Sequence, residues 1–260
     1  MKPNSNKISL LYDIEKYWTS RTEGYNKVNV SELNSHKKDL WKDIVETNSP
    51  NINNKKIKVL DIGTGPGFFA ILTSSLGYDV TSIDYTESML EKAKSNADIY
   101  LTNHEIKFIK MDGQNLNFQD ETFDLIVSRN LTWNLENPAK AYYEWFRVLK
   151  KGGRLINFDA NWYLHLFDKE KRKAYESDRI NVKKMNLNDH YTCTDIDEME
   201  KIARKLPLSQ TLRPNWDKKI LHKIGFKFIN IDRTIGDLLW SDEEKINYNS
   251  TPMFMIVCEK

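Results

Sequence analysis

One segment constrains this chain more than any other: Val59-Leu60-Asp61-Ile62-Gly63-Thr64-Gly65-Pro66-Gly67-Phe68. A short apolar run, Ile57 to Ile62, ends at glycines, as a buried parallel strand does. A helix is predicted to follow from about Gly67 to Leu76. Glycine after a strand lets the backbone turn tightly and lets a ligand lie against it. In open α/β sheets ligands bind beyond the carboxyl ends of the strands. The next predicted strand, Asp79 to Asp84, ends on an acid at the spacing where a carboxylate grips a ribose.

The rest of the chain repeats this alternation. Strands are predicted at 106–110, 123–128 and 154–158. Thr86 stands where it would cap a helix carrying Met89, Leu90 and Ala93 inward, and another helix runs from Pro138 to Leu149. Lys151-Gly152-Gly153 is read as the stop of that helix. Strands alternating with helices imply a mostly parallel sheet with helices on both faces. From Asn161 to about Pro214 the alternation lapses into a charged, aromatic, helical insertion after strand five. A helix near Trp216 to Lys223 and strands near Phe226 to Asp232 and Met253 to Glu259 close the chain. No helix need join those last two, so an antiparallel final strand is expected. Residues 1–55 read as polar and helical, with Leu33, Leu40, Trp41, Ile44 and Val45 on one stripe.

Two cofactors suit a glycine loop in this place. The dinucleotide fingerprint is GxGxxG, whereas Gly63, Gly65 and Gly67 bring the third glycine one residue early. Asp61, just before the loop, repels a pyrophosphate but suits a ligand carrying an ammonium and a sulfonium. Asp61-Ile62-Gly63-Thr64-Gly65-Pro66-Gly67 resembles motif I of the class I S-adenosylmethionine (SAM)-dependent methyltransferases. The similarity continues through Ile83 to Leu90, Met111 to Gln114, Phe123 to Ser128 and Val148 to Gly153. It covers residues 56–160 and is closest in type to small-molecule methyltransferases that include the quinone-biosynthesis enzymes.

The resemblance implies a Rossmann-like, seven-stranded sheet with an antiparallel last strand. It implies SAM as cofactor and S-adenosylhomocysteine (SAH) as product. Gly63 and Gly65, with Thr64 between them, pass the methionine part, and Asp61 helps hold its amino group. Asp84 accepts the ribose hydroxyls, and Tyr85 and Met89 flank the adenine. Asp112 accepts the adenine amino group, Gly113 and Gln114 offer backbone contacts, and Ser128 to Asn130 line the cleft near the sulfonium. Relatives with an N-terminal lid imply that Tyr17, Trp18 and Tyr25 close over the cofactor. Asp124 is a structural strand-start residue in the family.

Methyl transfer is an in-line displacement at an already activated carbon, so the enzyme chiefly aligns the partners and excludes water. A general base is needed only if the nucleophile arrives protonated. The pocket candidates for the methyl acceptor are Trp18, Tyr25, Asn130, Trp133, Asn161 and His190, with Trp162 and Tyr163 beside Asn161 at the end of strand five. His165, His190 and Cys193 are the base or metal candidates in the insertion, but they offer too few ligands for a metal site. His104 and His222 are read as surface helix residues, and Lys169 to Lys173 as a solvated helix face.

Composition limits the remaining choices. Of 260 residues, 39 are basic and 37 acidic, for a net charge of +2, which does not favour a long nucleic-acid footprint. Two distant cysteines, Cys193 and Cys258, exclude a disulfide scaffold. With no leader-like run and no apolar stretch long enough to span a membrane, a soluble cytoplasmic protein is expected. The expected organisation is a single domain: lid 1–55, cofactor core 56–160, insertion 161–214, closing elements 215–260. The favoured function is a small-molecule methyltransferase. Its alternatives are an RNA or protein methyltransferase, a SAM-binding protein without turnover, and a nicotinamide-dependent oxidoreductase, which the glycine spacing opposes.

Overall fold

The computed structural model describes residues 9–52, 55–191 and 194–260. Two helices come first, α1 (Leu10–Leu33) and α2 (Lys37–Asn48). Ser9 caps α1 by accepting from the Tyr12 N–H. The apolar stripe read as one helix is thus shared between two. Leu33 ends α1, and Trp41 and Val45 of α2 pack into the same cluster across the break.

A seven-stranded sheet follows: β1 (Lys58–Ile62), β2 (Asp79–Asp84), β3 (Lys107–Lys110), β4 (Phe123–Arg129), β5 (Leu149–Asp159), β6 (Lys227–Asp232) and β7 (Phe254–Glu259). Its order is β3-β2-β1-β4-β5-β7-β6, and only β7 runs antiparallel to its neighbours β5 and β6. The order reverses between β1 and β4, and a cleft opens beyond the strand ends at such a switch point.

Alternation along the strands sets the two buried faces. Val59, Val80, Leu125, Val127, Ile156 and Phe158 face α2 and α3 (Phe68–Ser75). Leu60, Ile126, Leu155 and Ile256 face α5 (Pro138–Val148), whose Ala141, Tyr142, Trp145 and Val148 form its inner side. Asn137 caps α5 through the Lys140 N–H, and Pro138 fixes its first turn. α4 (Glu87–Tyr100) buries Met89, Leu90 and Ala93 as expected, but the Thr86 side chain makes no cap bond.

Three expectations are corrected. β5 starts at Leu149, directly after α5, so Gly152 and Gly153 lie in a bulge of the strand rather than before it. The bulge exchanges backbone bonds with the last residue, Gly152 N to Lys260 O and Lys260 N to Gly153 O. Two short helices, α9 (Ile235–Leu239) and α10 (Asp242–Asn247), join β6 to β7. His104 sits in the loop before β3, beside Asp98, not on a helix. The insertion is helical, with α6 (Lys169–Lys184) and α7 (Ile196–Ala203), and α8 (Asn215–Ile224) follows it. Asp124 is structural, accepting from the Lys58 N–H and from Lys150 Nζ. Among the described residues no helix is long and apolar enough to cross a membrane.

A buried polar network fixes the end of β5 to the insertion. Arg213 donates to Asp159 and, at 2.7 Å, to Asp217 Oδ1, with Arg213 and both acids fully buried. Tyr142 donates to Asp217 at 2.6 Å, and Asp159 accepts the Trp133 N–H at 3.0 Å. Removing the cation leaves two carboxylates buried without a counter-charge. Arg213→Met is therefore expected to lose about 3–5 kcal/mol of stability in urea unfolding. Lys173→Ala, on an exposed pair, should change it by less than about 0.5 kcal/mol.

Candidate functional site

The glycine loop crosses the end of β1 and hangs on β2. The Gly63 and Thr64 N–H groups both donate to the Ile83 carbonyl, at 2.9 and 3.0 Å. Gly65 has φ +53°, and a Cβ there would stand 3.3 Å from the Tyr25 ring. Gly67 has φ +93°, and a Cβ there would meet Ala93 at 3.1 Å, so glycine lets α3 start against α4. The Asp84 carboxylate closes the arrangement, accepting from Gly65 N at 2.9 Å and Thr86 N at 2.8 Å. Burial raises its pKa above the ordinary carboxylate value, against those bonds.

A cavity of about 90 Å³ lies over this loop. Gly63, Gly65, Asp84, Tyr85, Met89, Asp112, Gly113, Gln114, Asn130, Trp18 and Tyr25 line it, so eleven of the residues expected from sequence meet at one place. Asp112 accepts from Gln114 N at 2.9 Å and Gln114 Nε2 at 3.0 Å, which fixes the floor. Asn130 takes φ +55° at the end of β4. Its carbonyl accepts from Trp133 Nε1 at 2.9 Å, while its side-chain Oδ1 is buried without a partner.

The other expected residues lie behind or beside the cavity. Asp61 is 2% exposed, beneath the loop, and accepts from Thr64 Oγ1 at 2.6 Å. Burial, with Asp84 nearby, pushes its pKa up to about 7. Thr64 is buried in making that bond, and Ser128 is buried donating to Ile62 O at 3.0 Å. Tyr17 and Trp133 are buried together in a third cluster with Ile14, Met199 and Ile202. Asn161 is taken up by both backbone polar groups of Arg213. His190 faces Tyr248 and Glu243, each at 3.1 Å. Thr192 and Cys193 lie outside the described residues. Among the described residues no group of three His, Cys, Asp or Glu side chains could hold a metal.

Sequence reasoning missed several residues of the lining, Leu11, Ile14, Asn134 and Leu135 among them. Leu11 and Ile14 join Trp18 and Tyr25, and their spacing along α1 is the helical signal that would have revealed them. Asn134 also lines the cavity, and its Oδ1, like that of Asn130, is buried without a partner. Arg129, expected at the cleft with Ser128 and Asn130, does line it, ends β4, forms a paired bridge to Glu32 of α1, both bonds 2.9 Å, and lies 4.4 Å over the Phe68 ring.

These groups fit SAM chemically. Its adenine amino group, ribose hydroxyls and ammonium are all donors. The cavity offers acceptors: Asp112, Asp84, and the unpaired Asn130 and Asn134 oxygens. A Cβ at Gly113 would come 2.9 Å from Ile62, so glycine keeps the wall thin there.

Such a sheet, with a glycine loop and an acceptor-lined cavity at its switch point, is the Rossmann-like fold of class I methyltransferases. Residues 60–157 match the family described as "Methyltransferase domain". Residues 60–157 thus carry a methyltransferase domain, on the fold shared by the class I, SAM-dependent enzymes. A demethylmenaquinone methyltransferase of Leptospira interrogans is 31% identical over 163 residues, 62% of this chain and 60% of that protein. The chain therefore aligns with less than two thirds of that relative's length. Solved structures share the fold. A Haemonchus contortus phosphoethanolamine N-methyltransferase bound to phosphomonomethylethanolamine and S-adenosylhomocysteine is 14% identical with TM-score 0.61, over 100% of this chain and 62% of that one. A SAM-dependent methyltransferase of Mesorhizobium loti is 14% identical with TM-score 0.54, over 84% and 96%.

The Asp61 pKa makes a pH prediction. Between the ordinary value of 3.8 and about 7 the folded protein keeps a proton that the unfolded chain has released. The stability this group contributes is fully present below the lower value and is lost as pH rises through the higher one. Thermal unfolding should therefore show wild type losing more stability than Asp61→Asn between pH ~5 and ~8, as that linkage requires. Parallel pH profiles of the two proteins would show that Asp61 does not titrate there.

Proposed function

We propose that the protein binds SAM in this cavity and transfers its methyl group to a small-molecule acceptor, in the cytoplasm, as one domain with α1 as lid. The observation that carries the reading is the pair of unpaired amide oxygens, Asn130 and Asn134, set in the same cavity as the Asp84 and Asp112 carboxylates. Four acceptor groups stand ready for the donors of SAM, its adenine amino group, ribose hydroxyls and ammonium. Gly63, Thr64 and Gly65 carry the methionine part past the loop, and the two asparagines hold its ammonium with Asp61 beneath. Asp84 takes the ribose hydroxyls on the lone pairs that Gly65 and Thr86 leave free. Tyr85 and Met89 flank the adenine, Asp112 takes its amino group, and Gly113 and Gln114 supply backbone contacts.

Bound SAM supplies a methyl group activated by positive sulfur. The chain's part is alignment and the exclusion of water. Trp18 and Tyr25 stand over the loop and shut the cavity to a volume below the roughly 300–1,000 Å³ usual for ligand pockets. α1 must therefore withdraw to admit the cofactor. Its attachments are mixed: Ile14 and Tyr17 pack into the cluster with Met199 and Ile202, while other ties are polar and nearer the surface. Glu15 pairs with Lys110 at 2.6 Å, Glu23 with Lys92 at 2.7 Å, and Thr22 meets Ser88 at 2.7 Å. Exposed pairs of this kind contribute only about 0–1 kcal/mol each.

A small acceptor is favoured over RNA because the charge is nearly balanced and the cavity is roofed by a helix. SAM labelled in its methyl group, incubated with the protein and a cell extract, tests this. Label is expected in the low-molecular-mass fraction. Label confined to precipitated RNA or protein would establish the macromolecular alternative instead, and no transfer to any fraction would favour a SAM-binding protein without turnover.

A further inference from the structure

The sheet ends on an open edge. In the order β3-β2-β1-β4-β5-β7-β6 the last strand, β6, has β7 as its one neighbour. Among the described residues the backbone groups of Phe228 to Ile231 bond to nothing beyond that ladder. Exposed edges are commonly blunted by lysines, by proline or by a covering helix. β6 reads Lys227-Phe228-Ile229-Asn230-Ile231-Asp232, with a single lysine at its start and an acid at its end.

Phe228 is the anomaly of that edge. It is 80% exposed, the most exposed large apolar side chain among the described residues. Its φ is +48°, in the left-handed region where a side chain is strained and glycine is the usual occupant. The position is a bulge. Lys227 stands opposite Glu259 and Asn230 opposite Val257, so Phe228 and Ile229 share the place of one residue across from Cys258. In the single chain no burial offsets the strain. Backbone outliers of this kind cluster where a residue is presented to a ligand or to another chain.

The bulge also makes the strand self-complementary. Along β7, Lys227, Asn230 and Asp232 stand opposite Glu259, Val257 and Met255. Lys227 and Asp232 are therefore equally spaced about Asn230, and all three point to one face of the sheet. Ile229 and Ile231 pack to the other, with Leu155 and Ile256.

We infer that two copies of this chain join through β6, antiparallel about a twofold axis at Asn230. In that register each Lys227 faces Asp232 of the second copy, Asn230 faces Asn230, and Phe228 falls opposite Ile231. Opposite charges directly across an antiparallel pair stabilise it, and a shift of two residues would lose both pairs. Thr234 engages Asp232 through Oδ1 alone, which leaves Oδ2 for the second copy. The contact continues the sheet across the dimer and lies three strands from β4, so the cavity stays clear of it.

Sedimentation velocity on the full chain at rising concentration tests this. A six-residue edge is a small contact, at the low end of specific interfaces, so a monomer–dimer exchange that shifts with concentration is expected. Lys227→Glu sets acid against acid at both ends. It should leave single chains at concentrations where wild type is mostly dimer. Adding Asp232→Lys exchanges the charges and should restore the dimer. Glycine accepts the left-handed backbone, so Phe228→Gly removes the ring and spares the strand. It should weaken the dimer about tenfold or more, as loss of an interface anchor does. Unfolding curves identify a variant that fails to fold, and the others then carry the test. A wild-type chain that stays single at every concentration would overturn the inference and leave the edge to a different protein. A dimer that Lys227→Glu or Phe228→Gly leaves intact would place the contact elsewhere and overturn it too. So would a folded double variant that stays single, because the register would then be wrong.

Discussion

The contact on which the site depends joins Gly65 N–H to the Asp84 carboxylate across the ends of β1 and β2. The loop already hangs on Ile83 through two backbone bonds, and Asp84 adds a third at the point where the chain turns toward α3. Buried parallel strands fix where these ends can be, because both faces of the sheet are packed and the register leaves no slack. The loop is therefore held open-faced, with carboxylates beneath and beside it. A pyrophosphate has nothing to gain from such a lining, whereas a nucleoside with donor groups and positive charge gains at each wall.

Two kinds of polar bond serve the fold differently. The Asp159–Arg213–Asp217–Tyr142 network is fully enclosed and fixes the turn after β4 to the end of the insertion. It gives the site its rigid wall. α1 is attached instead by pairs partly open to solvent, with one firmer anchor, Arg129 to Glu32, near its end. Ile14 and Tyr17 add an apolar tie to the insertion at its other end. The Trp133 cluster and the cavity share that helix as a roof through Ile14, which belongs to both.

What the sequence disclosed and what it withheld divide along distance. The strands were legible because alternation and glycine stops are local, and β2 falls on the residues expected, Asp79 to Asp84. Asp84 and Gly63 were legible because each ends or follows a strand within one repeating unit, and Asp112 through the family resemblance. Asn134 was not, since nothing in a short turn marks a side chain whose oxygen is buried without a partner. The Arg129–Glu32 bridge spans 97 residues and the Arg213–Asp159 bond spans 54, separations at which neither partner signals the other. Asn161 looked like a pocket residue because it follows a strand, yet the Arg213 backbone claims it. The glycine pair 152–153 misled for the converse reason. It satisfies a helix stop and a strand bulge equally well, and only pairing with the chain's last residue selects the bulge.

The central claim is that a lining of carboxylates and unpaired amide oxygens selects a sulfonium nucleoside over a dinucleotide. Competitive calorimetry on the full chain, SAM against NAD, tests it most directly. The account predicts heat of binding with SAM that NAD neither reproduces nor displaces. Saturable binding of NAD that displaces SAM, or no binding of SAM at all, would contradict it.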